Sequence, residues 1–135
     1  MYYTYVLLSG KDNKLYVGYT ENLRNRINEH DSGQGFGFFE AVYQNALLIE
    51  LIKAGLQAEK EKKIQVHYHN QLVGDYIADI IVEDKVILEL KSVKELHPAH
   101  SAQLINYLKA TGLEIGLLIN FGEKVGVKRR ILSNS

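Results

Sequence analysis

The spacing of hydrophobic and polar residues changes several times along the chain, and each change marks an element. Tyr2 to Ser9 and Lys14 to Tyr19 are rich in Tyr, Val and Leu and flank the turn-forming stretch GKDN, which predicts a β-hairpin. Thr20 can then cap a helix running to about His30, with Leu23 and Ile27 on one face. The segment DSGQGFG, Asp31 to Gly37, breaks that helix and is the one internal seam the pattern offers. A second helix, over about residues 38–54, ends at Gly55, a natural residue for the left-handed position after a helix.

Three strands are expected next, Lys62 to His69, Val73 to Val82 and Val86 to Ser92, separated by turns at Asn70-Gln71 and Glu83-Asp84-Lys85. Pro98 suits the first turn of a helix that runs to Thr111 and closes at Gly112. Glu114 to Phe121 is a continuous apolar run, the pattern of a strand covered on both faces. Val127 to Leu132 follows as an edge strand. From residue 38 the order is α-β-β-β-α-β-β, an α/β arrangement with a mixed sheet flanked by helices.

Composition sets limits on this picture. A chain of 135 residues is sized for one core rather than two. With no cysteine there is neither a disulfide nor a thiolate metal site, which suits a reducing cytoplasm. The opening MYYTYVLLSG lacks the basic and long apolar regions of a secretory signal, and no apolar run approaches the roughly 18 residues that span a bilayer. The expectation is therefore a cytoplasmic protein with no membrane partner. Sixteen basic and 16 acidic residues give zero net charge, which argues mildly against a nucleic-acid binder. Charge is local, however, and VKRR, Val127 to Arg130, is either a basic contact or a solvated strand end.

The candidate chemistry lies in ADIIVEDKVILELK, Ala78 to Lys91, where each of two apolar strands carries an acid. Side chains alternate along a strand, so Glu89 and Lys91 share a face, away from Leu88 and Leu90. If Glu83-Asp84-Lys85 form a three-residue turn, Val82 pairs with Val86 and Asp79 faces Glu89, with Cβ atoms about 4.5–5.5 Å apart. Carboxylates that close repel, and a Mg²⁺ ion, which takes one or two carboxylates plus waters and phosphate oxygens, would reverse the balance. Lys91 would then stand beside the metal, able to orient a water or stabilise phosphate charge. A two-residue loop would instead put the acids on opposite faces. Two acids that point into water, with Lys91 as a surface ion-pair partner, remain the alternative on spacing alone.

Glu40, early in the second helix, is placed either to approach that site or to face solvent. Gln103 and Tyr107 are four apart on the later helix and share a face. An amide and a phenol there can hold a base or phosphate, or be ordinary helix surface.

These positions resemble a known pattern. GFFEAVY supplies Gly37, Glu40 and Tyr43 at the spacing that names the GxxExxY family, a small branch of the PD-(D/E)XK nuclease-like superfamily. The resemblance continues through ADIIVEDKVILELKSV, HPAHSAQLINYLKATG and GLLINFG, covering about residues 35–132. It implies a restriction-endonuclease-like core in which Asp79 and Glu89 bind Mg²⁺ (or Mn²⁺) and Lys91 assists the attacking water. It also makes Glu40 the acid of the first core helix. Gln103 and Tyr107 match a Gln-x-x-x-Tyr element of exonuclease-like branches, which implies contact with substrate. In DYIAD, Ile77 stands where relatives often carry Arg, so a substrate contact from that position is in question.

The N-terminus resembles the opening of GIY-YIG endonucleases. Thr4 to Val6 stands for the first short motif and Tyr16 to Gly18 for the second, and Arg26 and His30 match the helix positions. The resemblance implies that Tyr5 and Tyr16 position a water and that Arg26 neutralises a phosphate. It stops near Gly35, before the metal-binding Glu that the GIY-YIG fold requires. The expected organisation is an incomplete GIY-YIG-like hairpin and helix, residues 1–35, packed on a GxxExxY or PD-(D/E)XK-like domain, residues 36–135. The expected function is Mg-dependent hydrolysis of phosphodiester bonds in nucleic acid, DNA first, by an endo- or exonuclease. Alternatives are an inactive module that binds nucleic acid or protein, and residual GIY-YIG-type activity. A homodimer is a natural expectation, because one such domain covers little duplex.

Overall fold

The computed structural model describes Leu23, residues 40–122 and residues 125–133. Helix α1 (Glu40–Lys53) leads into strands β1 (Ala58–Tyr68), β2 (Gln71–Val82) and β3 (Val86–Lys91). Helix α2 (Pro98–Thr111) and strands β4 (Ile115–Phe121) and β5 (Val125–Ile131) follow, so the expected order α-β-β-β-α-β-β holds. The five strands lie in the order β1-β2-β3-β4-β5. β3 and β4 are parallel and every other pair is antiparallel, which makes the sheet mixed. A parallel pair needs a crossover, and α2 supplies it.

Local chemistry fixes both helices. Gly55 has φ 88°, its N–H donates to Ile52 O, and Leu56 N–H donates to Leu51 O, so α1 ends in a Schellman motif. Pro98 opens α2, and Gly112, at φ 76°, closes it by donating its N–H to Leu108 O. α1 lays Tyr43, Leu47 and Leu51 on one face of the sheet, against Ile80, Val82, Leu88, Leu90 and Phe121. Leu23 is buried in the same cluster. α2 lays Leu104, Tyr107 and Leu108 on the other face, against Ala78, Ile81, Ile87 and Leu118. Helix and sheet approach closely there: a Cβ on Gly116 would come within 2.7 Å of Leu104 Cδ1.

The strand boundaries differ from the sequence expectation. β1 begins at Ala58 rather than Lys62, because Ala58, Glu59 and Lys60 pair with β2 although the charged run AEKEKK has no apolar alternation. β1 is an edge strand, so those charges can face water. The turn that follows is His69-Asn70, not Asn70-Gln71. Both residues have positive φ, 49° and 62°, which suits the twist of a tight hairpin. β2 accordingly starts at Gln71 rather than Val73, and β3 ends at Lys91 rather than Ser92. β5 starts at Val125 rather than Val127 and ends at Ile131, because its ladder with β4 runs back to Phe121. The expected start of α1 at Phe38 and the hairpin and helix expected over residues 2–30, apart from Leu23, lie outside the described residues.

Candidate active site

The turn between β2 and β3 has the predicted length. Glu83, Asp84 and Lys85 form it, with Lys85 N–H donating to Val82 O, and Val82 pairs with Val86. Glu83 and Asp84 both take positive φ, 54° and 52°, and Gln57 N–H donates to the Glu83 carboxylate. The ladder continues through Ile81↔Ile87 to Ile80↔Leu88 and stops there, one pair short of Asp79 and Glu89. The direct cross-strand pairing expected for the two acids is therefore replaced by a fork.

The physical reason lies in β1 and β2. Ala78 packs with the α2-side cluster, whereas Ile80, two residues on, packs with the α1-side cluster. Strict alternation would put both on one face. Across the ladder, Glu61 has φ 55° and the pairing of Glu61 with Asp79 is missing from a register that is even from Ala58↔Val82 to Val66↔Gly74. The hairpin thus turns over at Glu61 and Asp79, and Asp79 leaves the regular ladder on both sides.

Side chains take up the backbone groups that the fork releases. Asp79 N–H donates to Glu89 Oε2 at 2.8 Å, and Leu90 N–H donates to Asp79 Oδ2 at 2.7 Å. Each acid thereby holds the other's strand. Glu89 is only 4% exposed and Asp79 is half-buried, so the reading of two acids pointing into water does not describe Glu89. Burial, then the neighbouring charge of Asp79, pushes the Glu89 carboxyl up to about 8, with Lys91 acting in the opposite direction. Burial and the charges of Glu89 and Asp79 likewise raise the Tyr107 phenol, which places Tyr107 beside the acids.

The remaining candidates divide clearly. Lys91 is half-buried at the end of β3, opposite Asn120 of β4. Glu40 is exposed at the first position of α1, and its charge and that of Lys91 both act on His100 of α2. Tyr107 is buried and Gln103, one turn earlier, is exposed. Ile77 is 53% exposed on β2. Arg26, Tyr5 and Tyr16 lie outside the described residues. Tyr43 of the GFFEAVY stretch is fully buried and stacks on Phe121 with centroids 4.5 Å apart, a packing role.

Three supports were not read from the sequence. Gln44, buried on α1, donates its Nε2 to Asp79 O at 2.9 Å, so the helix across the sheet holds the acid's own peptide. Its position one turn after Glu40 was the available signal. Buried Asn120 accepts from Val93 N–H and donates to Val93 O, clamping the chain just after Lys91. His97 caps α2 by accepting from Ala99 N–H, and His100 Nδ1 accepts from His97 N–H in return. Among the described residues no group of three or more His, Cys, Asp or Glu is arranged to hold a metal ion, so the acids stand as a pair. None of the described helices is long and apolar enough to cross a membrane.

Comparison with known proteins gives the family and the fold. A family model described as the PD-(D/E)XK nuclease superfamily matches residues 19–130. Among solved structures, SSO0001 aligns with a TM-score of 0.56 at 17% identity, over 70% of this chain and 50% of its own. An alkaline exonuclease (LHK-Exo) from Laribacter hongkongensis aligns with a TM-score of 0.50 at 13% identity, over 67% of this chain and 54% of its own. Hjc, a Holliday junction resolvase from Archaeoglobus fulgidus, aligns with a TM-score of 0.41 at 22% identity, over 66% of this chain and 72% of its own. The chain spans about half the length of the first two structures, and the likeness is one of fold. No curated protein gives a significant match.

Proposed function

The chain belongs to the PD-(D/E)XK nuclease superfamily, and from that premise we propose that Asp79, Glu89 and Lys91 form the hydrolytic site of a Mg²⁺- or Mn²⁺-dependent nuclease acting on DNA. The observation that carries this reading is the acidic fork. Asp79 and Glu89 are locked together by reciprocal backbone bonds of 2.8 and 2.7 Å, with Glu89 buried. Structural ion pairs join opposite charges, whereas this arrangement holds two acids together, with the buried Glu89 carboxyl pushed up to about 8.

The donor set fits a hard divalent cation, which takes one or two carboxylates and keeps several waters. Each acid bonds a backbone N–H through one oxygen, and the two side chains also hydrogen-bond to each other, a contact that a cation between them would replace. When bound, the cation supplies Lewis-acid stabilisation of the phosphate and a more acidic water. The chain's own groups do the rest. Lys91 places an ammonium where phosphate charge develops and can orient the attacking water. Glu40 adds an acid at the N-terminal end of α1, and Gln103 and Tyr107 contact substrate from α2. Within the superfamily we assign the chain to the GxxExxY branch, on the spacing of Gly37, Glu40 and Tyr43. Arg26, Tyr5 and Tyr16 are assigned to substrate binding from an N-terminal GIY-YIG-like segment, and a homodimer would extend the surface offered to a duplex.

The test is hydrolysis of single- and double-stranded DNA and RNA by the full chain with Mg²⁺ or Mn²⁺. Asp79→Ala and Lys91→Ala should each lower the rate on the order of 10²–10³-fold. If both cleave as the parent does, the assignment is wrong. Zero net charge supports a second reading, an inactive binding module. Calorimetry separates the two: uptake of Mn²⁺ that vanishes in Asp79→Ala favours the nuclease, and no uptake favours the module.

A further inference from the structure

β2 runs on past the point where its ladder with β3 stops. Residues 71–77 pair only with β1, so this half of the hairpin stands out from the sheet as a two-stranded ribbon. Leu72, Val73, Tyr76 and Ile77 are exposed along it. Tyr76 differs from the others in having a built seat. Its ring lies 5.6 Å from that of Tyr107, tilted at 47°. On another side it lies over Gly74, where a Cβ would come within 2.9 Å of Tyr76 Cε2 and 3.4 Å of its Oη. Buried Ile64 is its neighbour across the ladder on β1. With these supports in place, 45% of Tyr76 still faces solvent.

The position matters as much as the seat. Tyr76 precedes Asp79 by three residues, about 10 Å along an extended strand. Tyr107 spans the interval, touching Tyr76 on one side and feeling the charges of Glu89 and Asp79 on the other. An aromatic ring that is braced below and open above offers a stacking surface to any base. A base inside a duplex has both faces covered by its neighbours, so only an unpaired or terminal base can take that surface.

We propose that Tyr76 is a nucleobase-stacking residue, seated by Gly74 and Tyr107, and that the site takes an unpaired nucleotide beside the scissile phosphate. The substrate class is therefore a single strand or a frayed end rather than a closed duplex. This deepens the nuclease reading and rests on it for the place of the phosphate.

The experiment uses the full chain in Ca²⁺ and a single-stranded oligodeoxynucleotide carrying 2-aminopurine near one end. The chain has no tryptophan, so the probe's emission is read cleanly. Stacking on Tyr76 quenches the probe saturably in the parent. Tyr76→Phe keeps the ring and the quenching, whereas Tyr76→Leu weakens binding roughly tenfold and loses most of the quenching. Gly74→Ala, which forces the ring to move, shifts both in the same direction. A blunt duplex with an internal probe, already stacked between its neighbours, binds more weakly and is not quenched further. The proposal is overturned if Tyr76→Leu binds and quenches as the parent does, or if the duplex binds as tightly as the single strand. Cleavage in Mg²⁺ is measured separately. Tyr76-dependent quenching in a chain that cuts nothing sinks the nuclease reading and leaves the stacking role standing. Cleavage by a parent whose Tyr76→Leu variant is unchanged in binding and quenching sinks the stacking role alone.

Discussion

The two faces of the sheet are built from the same strands and put to different use. Toward α1 the contacts are almost wholly apolar: Tyr43, Leu47 and Leu51 close over Ile80, Val82, Leu88, Leu90 and Phe121. Toward α2 the same sheet holds a smaller apolar cluster and, at one end, the half-buried Asp79, the buried Glu89 and the Tyr107 phenol. A single reversal of the hairpin at Glu61 and Asp79 separates the regimes. The first face has tight packing with no titratable charge to desolvate. The second accepts that cost at one place, where two strands part and their backbone groups need partners. The acids therefore have a structural role in the fork as well as a proposed chemical one, and substitutions separate the roles.

The largest expected effect is on the apolar face. Phe121→Ala removes the ring that stacks on Tyr43 in a fully buried site, and should cost about 3–5 kcal/mol of stability. Thermal or urea unfolding measures it. A loss below about 1 kcal/mol would mean that this face is not the one that holds the fold together.

The second effect is on the polar face and has a defined sign. The Glu89 carboxyl lies at about 8 in the folded chain, above its ordinary value of 4.5, chiefly because it is buried. A raised carboxyl favours the protonated folded form. Its contribution to stability is thus fully present below about 4.5 and is lost as pH rises through about 8. Metal-free protein should lose unfolding temperature steadily across that window. Glu89→Gln keeps an acceptor for Asp79 N–H but cannot ionise, so its profile should be flatter. Added Mg²⁺ near pH 8 should restore the parent and leave the variant unmoved. Equal slopes in the two proteins would mean that Glu89 is not the group responsible.

Much of this architecture is legible in the sequence where the cause is local. Pro98 and Gly112 bracket α2 because a ring without an N–H fits a helix start and a glycine fits the left-handed residue at its end. Gly55 does the same for α1. Glu114 to Phe121 reads as a central strand because a strand covered on both faces has no polar alternation. The start of β1 is not legible, since Glu59 and Lys60 have no strand-like pattern and are held extended by pairing with β2, and Glu61 leaves the ladder at φ 55°. The acids divide in the same way. Their proximity follows from the three-residue turn, which is a local feature. Their bonding does not, because it depends on a fork created by a reversal that the sequence pattern conceals. The His97 and His100 cap escaped for another reason: histidine is not among the usual capping residues.

The smallest expected effect tests whether the two faces act independently. Gln44 is the buried polar side chain on the α1 face, and its amide reaches across to Asp79 O at 2.9 Å. Gln44→Met keeps the volume and the helix but removes that bond. Stability should fall by only about 1 kcal/mol, the net worth of one neutral hydrogen bond. If the bond serves to hold the peptide that carries Asp79, the affinity for Mn²⁺ should fall about tenfold, as for other supports one bond removed from a metal ligand. A loss of stability with unchanged Mn²⁺ affinity would show that Gln44 merely satisfies a carbonyl left open by the fork. A loss of affinity larger than the loss of stability would show that the apolar face, through this one side chain, sets the position of the acid on the other.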